Sequence, residues 1–232
     1  MTNSVVTAEL VKLSRDLATE PAALDFLKDQ SPQALRDFRR AVRSTLDAPH
    51  QPMFKRLARA GALVPSQLLA TIATRFFGPE FCARIAPEFG AEKSVKFLGH
   101  VSTPFVADIA AHLDPDAVGP LVAGLGTKVI VDVTEELRAR GDLITSARLV
   151  GALNDAQFAT AVRLFVDPDE ILDIANFVES DATLRRVVDG ASDEQVRACA
   201  AAARERGEFD ALLERVSAAT PAGGERLRAT AA

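Results

Sequence analysis

The residues of this chain that could do chemistry are few: three histidines, two cysteines and some close-set carboxylates. General acid–base work or metal ligation needs imidazole, thiolate or carboxylate groups gathered at defined geometry. His100 and His112 stand twelve residues apart in equivalent positions, each two residues before a helix-capping residue. That spacing predicts the last turns of two helices, where an imidazolium suits the carboxyl end of the helix dipole. His50, between Pro49 and Pro52, reads as a loop residue.

Asp167-Pro168-Asp169-Glu170 followed by Asp173 resembles a cation loop, but Ile171 and Leu172 occupy the positions where a calcium loop needs an oxygen ligand and a glycine. Helix capping with first-turn acids accounts for the cluster. Asp132, Glu135 and Glu136 share a predicted helix without the ExxH partner of a carboxylate-bridged metal site. Cys82 and Cys199 fall on apolar helical positions and read as buried thiols; neither belongs to a CxxC pair or a Cys/His ligand set. GxSxG, phosphate-loop, GxGxxG-after-strand and HExxH patterns are missing from the sequence. The expectation is a protein that is not an enzyme, with no cofactor and no metal. An enzyme with an unrecognised site is the remote alternative.

Two further groups of side chains point to binding instead. Arg36, Arg39, Arg40 and Arg43 follow the i, i+3, i+4, i+7 spacing that puts them on one helical face, and Lys55, Arg56 and Arg59 form a second cluster on the next helix. They read either as a solvated face or as an electrostatic dock for an acidic partner, the chain's own acidic body or another chain. A membrane surface is a weaker option. Phe76, Phe77, Phe81, Phe89, Phe97 and Phe105 are clustered. Most sit on core positions; Phe76, Phe81 and Phe105 lie beside the main stripe and could widen it into a contact patch for a partner helix or an apolar small molecule.

The elements that must position these groups are legible from a beat in the sequence. A turn-forming or capping residue recurs every twelve positions at Gly78, Gly90, Ser102, Asp114 and Gly126, and the beat resumes with small slips at Asn154, Asp167, Ser180 and Ser192. Counting from each cap, positions +4, +7 and +8, together with the residue just before each cap, are apolar with three exceptions, Ser94, Thr134 and Glu179. That is one stripe on a helix of period 3.6. Ser, Asp and Asn accept hydrogen bonds from free N–H groups at a helix start, and Pro115 and Pro168 sit where a first-turn proline is tolerated. Glu92, Asp116, Asp169, Glu170, Asp193 and Glu194 put negative charge in first turns, as the dipole favours. Helices of about nine residues are too short to persist alone and must bury their stripes on neighbours, as repeats do.

The expected fold is therefore all-α: a right-handed or superhelical α-solenoid of short, roughly twelve-residue repeats with an N-terminal helical head. Residues 1–65 form the mildly basic head, with helices expected near 4–18, 21–29, 32–46 and 51–60. Residues 66–218 form the acidic repeat body, starting with a helix near 66–77. Residues 219–232 are expected to be a flexible tail. The steps Arg140-Gly141-Asp142 and Arg206-Gly207-Glu208 lie 66 residues apart and suggest an internal duplication, about 90–152 and 155–218.

Segments such as Leu113-Asp114-Pro115-Asp116-Ala117-Val118 and Leu153-Asn154-Asp155-Ala156-Gln157-Phe158 resemble the N-terminal superhelical domain of MgtE-type magnesium transporters over about residues 78–200. The resemblance implies a stack of short helices. It carries no magnesium-binding residues onto this chain.

Charge and composition narrow the partners. The net charge is −5, but residues 1–75 hold 11 Lys/Arg against 7 Asp/Glu and residues 76–232 hold 16 against 25. The acidic part would repel a phosphate backbone, so nucleic acid is an unexpected partner. Tryptophan and tyrosine are absent from the 232 residues while phenylalanine occurs 13 times, which argues against stacking on sugars or bases. Neither a signal-peptide layout nor a long apolar run is visible, so the expected location is the cytoplasm. The functional expectation is a scaffold that binds another protein, with a carrier or sensor of an apolar molecule as the alternative.

Overall fold

The computed structural model describes residues 4–230, apart from the side chains of Ser4, Pro115 and Asp116; the first-turn acid expected at Asp116 therefore lies outside the described residues. All of the regular structure among the described residues is helical. The chain divides between Val129 and Ile130 into two compact units. The boundary expected near residue 65 is not where it divides, because the head packs directly on the first repeat helices.

In the first unit, α1 (Ser4–Asp16) is followed by a 3₁₀ turn (Pro21–Leu27), α2 (Pro32–Asp47), a short 3₁₀ turn (Ala48–His50), α3 (Gln51–Ala62), and α4 (Ser66–Ile72) running into a π turn (Ala73–Phe77). Then come α5 (Gly78–Phe89), α6 (Ala91–Leu98), α7 (Thr103–His112) and α8 (Pro115–Ala123). α9 (Thr127–Ala139) leads to α10 (Leu143–Val150), α11 (Asp155–Ala161) with a 3₁₀ end (Val162–Leu164), α12 (Pro168–Phe177), α13 (Asp181–Gly190), α14 (Asp193–Glu205), α15 (Phe209–Ala219) and α16 (Pro221–Ala229).

Every one of the nine beat positions falls at the first residue of a helix or immediately before it. Asn154, Ser180 and Ser192 accept from the N–H three residues on, and Asp167 from that of Asp169. The backbone N–H groups of Asn154 and Ser192 in turn donate to Gln157 Oε1 and Gln195 Oε1, closing capping boxes. Two of the glycine starts work differently: Gly78 and Gly90 have φ of +75° and +72°, so each turns the chain where a side chain would be strained; Ser102 precedes α7 without a side-chain cap bond.

The stripe faces inward. Eight of the nine +4 residues, Cys82 through Val196, are buried, and the ninth, Ile171, is partly so. The polar exception Ser94 is buried too. Because one to four residues join successive helices, a stripe meets the helix two places along. In the first unit α3 packs on α5, α4 on α6, α5 on α7 and α6 on α8; in the second α10 packs on α12, α12 on α14, α13 on α15 and α14 on α16. The second unit's core joins Leu172, Val196, Ala200, Ala203, Val216 and Leu227. A neighbouring cluster is built on Phe165, Ile174, Val178 and Leu184.

Gly141 and Gly207 both have φ of +69°. Around them Asp142 N–H donates to Leu137 O and Glu208 N–H to Ala203 O, each at 2.8 Å. These are two copies of the same helix-ending motif, at steps the 66-residue correspondence pairs.

The expected flexible tail is a packed helix over Pro221–Ala229. Thr220 caps it through the Gly223 N–H, Pro221 starts it, and Gly223 and Gly224 let its backbone lie against Val188, Val216 and Ser217. The Pro-Ala-Gly-Gly sequence looked like a turn because two glycines disfavour a helix; close packing on α15 overrides that.

Among the described residues no single helix is long and apolar enough to cross a membrane.

Candidate functional site

The arginine face predicted on α2 is real, but it points at α1. Glu9 and Lys12, one turn apart on α1, are both buried and joined by a 2.8 Å ion pair. Arg36 Nε donates to Glu9 Oε1 at 3.2 Å. Arg39, also buried, brings Nε to 3.8 Å from Glu9 Oε2 and Nη1 to 3.9 Å from Asp16 Oδ2. Arg43 lies 3.6 Å from Asp16 Oδ1 and donates to the His112 carbonyl at the end of α7. Arg36, Arg39 and Arg43 therefore hold α1, α2 and α7 together, so these three meet groups of the chain itself. Arg40 alone of the four points outward, with Asp37 3.7 Å away.

Lys55, Arg56 and Arg59 behave differently. α3 turns Phe54, Ala58 and Gly61 inward and leaves all three cations exposed. Phe54 then begins a line of rings. Its edge meets Phe81 on α5 at 5.9 Å, and Phe81 stacks on Phe77 at 4.7 Å with planes 19° apart. His50 lies at the other end, 6.2 Å from Phe54. The rings tie the first turn of α3 to the π turn before α5.

That π turn positions the most exposed aromatic residues of this cluster. Gly78 N–H donates to Ala73 O, five residues back. Thr74, Arg75, Phe76 and Phe77 are consecutively exposed, Phe76 at 76% and Phe77 at 46%. Successive residues of a regular helix point about 100° apart, so one of two neighbouring phenylalanines normally finds the core. Wide turns of this kind recur at functional sites.

Of the three phenylalanines expected to make a patch, Phe76 is on this surface. Phe81 is partly buried inside the ring line, and Phe105 is partly buried on α7, without ring contact to the other two among the described residues. The apolar members that take their place are Phe77 and the exposed Met53. Their signal was present in the sequence: no Asp or Glu occurs from Ala48 to Pro79.

The residues weighed for catalysis are dispersed. His50, His100 and His112 are all exposed; His112 ends α7, whereas His100 lies beyond the end of α6. No group of three or more His, Cys, Asp or Glu among the described residues is placed to hold a metal ion. The carboxylates of the 167–173 segment meet arginines: Arg206 reaches Asp173 at 2.8 Å and Asp169 at 3.4 Å, and Arg138 reaches Glu170 at 2.9 Å. Hydrogen bonding to Asp173 raises the Arg206 pKa beyond its ordinary value. Glu136 pairs with Arg140 at 2.7 Å. Burial pushes both thiols up to about 11, for Cys199 with help from the Asp169 charge, so neither is an activated nucleophile.

No protein-family model, no curated protein and no solved structure matches this chain.

Proposed function

We propose that the chain is a non-catalytic helical-repeat interaction module, an α-solenoid of short helices whose extended surface scaffolds another protein. The observation that carries this reading is the packing of short helices on the helix two places along, four such pairs in each unit. Stacking of that kind builds a surface from many small, similar elements, and such surfaces bind proteins and peptides. It is also the arrangement that the resemblance to the superhelical domain of MgtE-type transporters implies. The matched glycine motifs at Gly141 and Gly207 support the duplication within it.

Arginines on later helices tie off earlier ones and favour a rigid scaffold. Arg215 on α15 donates to the carbonyls of Ala175 and Val178, which end α12. Arg226 on α16 does the same for Val188 and Ala191, which end α13. A stack pinned in this way holds its exposed side chains in fixed relation, so little ordering entropy is lost on binding.

The carrier reading is weaker because the ring line Phe54–Phe81–Phe77 fills the space between α3 and α5 with side chains. Native mass spectrometry and an affinity pull-down from native extract separate the two. The scaffold predicts a bare 24.7 kDa mass on purification and stoichiometric capture of a protein from extract. A co-purifying lipid-sized mass with no captured protein would replace the scaffold by the carrier.

A further inference from the structure

The surface formed by the first turn of α3 and the π turn combines cations free of acidic neighbours in sequence with exposed apolar side chains. From Ala48 to Pro79 there is no acidic residue, in a chain with 32 of them in 232; at that density about four would be expected. The same stretch carries Lys55, Arg56, Arg59 and Arg75, all exposed. None of the four side chains has an ion pair or hydrogen bond among the described residues. Most arginines of the second unit, by contrast, are engaged with carboxylates or carbonyls. The stretch also holds five of the exposed large apolar side chains: Met53, Leu63, Leu68, Phe76 and Phe77.

We propose that this face, centred on Phe76, Phe77 and Met53 and flanked by Lys55, Arg56 and Arg75, docks the chain on an anionic lipid surface. The charge identifies the occupant as negative. The shape favours a bilayer over an acidic protein. Two of the four consecutive exposed residues of the π turn are phenylalanines, and rings that project singly enter a fluid interface without needing a matching groove. Aromatic tips enter the boundary between headgroups and acyl chains, and the surrounding cations meet the phosphates. Stacking on Phe81 holds Phe77 in place, so the face is formed before contact. The proposal goes beyond the scaffolding reading and does not depend on it: a protein partner on the repeat surface and a bilayer on this face are compatible.

The absence of tryptophan from the chain makes the test direct. Phe76→Trp in the full chain places a single indole on the π turn, and Val166→Trp places one at an equally exposed apolar position of the second unit. With phosphatidylglycerol-containing vesicles the Phe76→Trp emission shifts to the blue and is quenched by brominated acyl chains. Phosphatidylcholine vesicles leave it unchanged, high salt reverses the shift, and Val166→Trp does not respond. Flotation of the unsubstituted chain shows the same lipid and salt dependence. Lys55→Glu with Arg56→Glu lowers the vesicle partition coefficient at least about tenfold, while Arg163→Glu, an exposed cation of the second unit, lowers it far less. Circular dichroism establishes that each variant is folded. An indole that stays in water with anionic vesicles overturns the proposal. So do equal binding to phosphatidylcholine, an equal response from Val166→Trp, and a shift produced by polyglutamate but not by vesicles; the last would assign the face to an acidic protein.

Discussion

Arg186 on α13 holds Asp155 at the start of α11 across 2.8 Å, Nη2 to Oδ1, while its Nη1 donates to the Leu153 carbonyl at 2.7 Å. Arg226 on α16 repeats the contact one step on: Nη2 lies 2.8 Å from Asp193 Oδ1 and 2.8 Å from Ala191 O. In both, the carbonyl belongs to the residue before the cap and the carboxylate to the residue after it. The guanidinium fork matches this pair of acceptors, and an ammonium does not. The carbonyl matters more than the carboxylate, because Asp155 is fully exposed and an exposed ion pair contributes about 0–1 kcal/mol. Arg186→Ala and Arg226→Ala are therefore each expected to cost about 1–3 kcal/mol in urea unfolding. Asp155→Ala should cost less than about 0.5 kcal/mol, and Arg186→Lys should recover only part of the loss. Equal effects of Arg186→Ala and Asp155→Ala would show that the carbonyl contact is worth nothing.

The paired glycines separate conformational strain from packing. A Cβ built on Gly141 or Gly207 meets nothing within 4 Å, and both residues sit at φ +69°. Alanine at either position should cost about 1–2 kcal/mol, and the same at both, because the left-handed backbone is the only penalty. At Gly224 a Cβ would lie 2.2 Å from Ser217 Oγ and 3.0 Å from its Cα; at Gly223 it would lie 2.7 Å from Val188 Cγ1. Neither has positive φ. Alanine there should cost about 1–3 kcal/mol through displacement of α16, read as lost protection of α15 and α16 in hydrogen exchange. A Gly224→Ala chain as stable as the parent would mean that α16 is not seated as described.

Much of this fold was legible because its signals are local. A cap, a stripe and a short span are written in consecutive residues, so Ser102, Asn154, Asp167, Ser180 and Ser192 could be placed before any coordinates. What stayed hidden depends on which helix lies opposite. The face of Arg36, Arg39 and Arg43 was correctly grouped, but nothing local says that Glu9 and Asp16 will cover it. The exposed face at Phe76 and Phe77 was hidden for another reason. Phe77 occupies a regular stripe position, and only the π turn ending at Gly78 turns it outward. A scan for acid-free stretches would have found it, whereas a scan for helical period could not.

The covered arginines give a prediction about the first unit. Arg39→Met takes one cation from each of two carboxylates, while Glu9 keeps Lys12 and Arg36 and Asp16 keeps Arg43. Because neither charge is left unpaired, the cost should fall below the roughly 3–5 kcal/mol of a broken lone pair, at about 1–3 kcal/mol. Arg39→Met should unfold the contact between α1 and α2, seen as loss of hydrogen-exchange protection from Val6 to Leu13. Arg40→Glu, on the exposed side of the same helix, should change stability by less than about 0.5 kcal/mol. Glu9→Gln combined with Arg39→Met should cost less than the sum of the two single changes, because both remove the same Arg39–Glu9 contact. Full additivity would place the two side chains in separate environments.

The thiols make stability fall in alkali. Both Cys82 and Cys199 are raised from 9.0 to about 11 by burial in the folded chain. A group whose folded value is the higher one holds its proton longer in the folded state than in the unfolded state. Its contribution is complete below pH 9.0 and is lost as pH climbs from there towards about 11, because ionisation then favours the unfolded chain. Each thiol accounts for on the order of 2 kcal/mol across that window. Urea unfolding of the unsubstituted chain should therefore weaken steadily over this interval. Cys82→Ala with Cys199→Ala should lower stability near neutrality through lost packing, yet flatten the alkaline slope. The same burial predicts that iodoacetamide modifies both residues only at the rate at which the native chain opens, so labelling should accelerate in step with added urea. Fast labelling in the absence of denaturant would show that at least one thiol is open to solvent and would remove the basis for the alkaline slope.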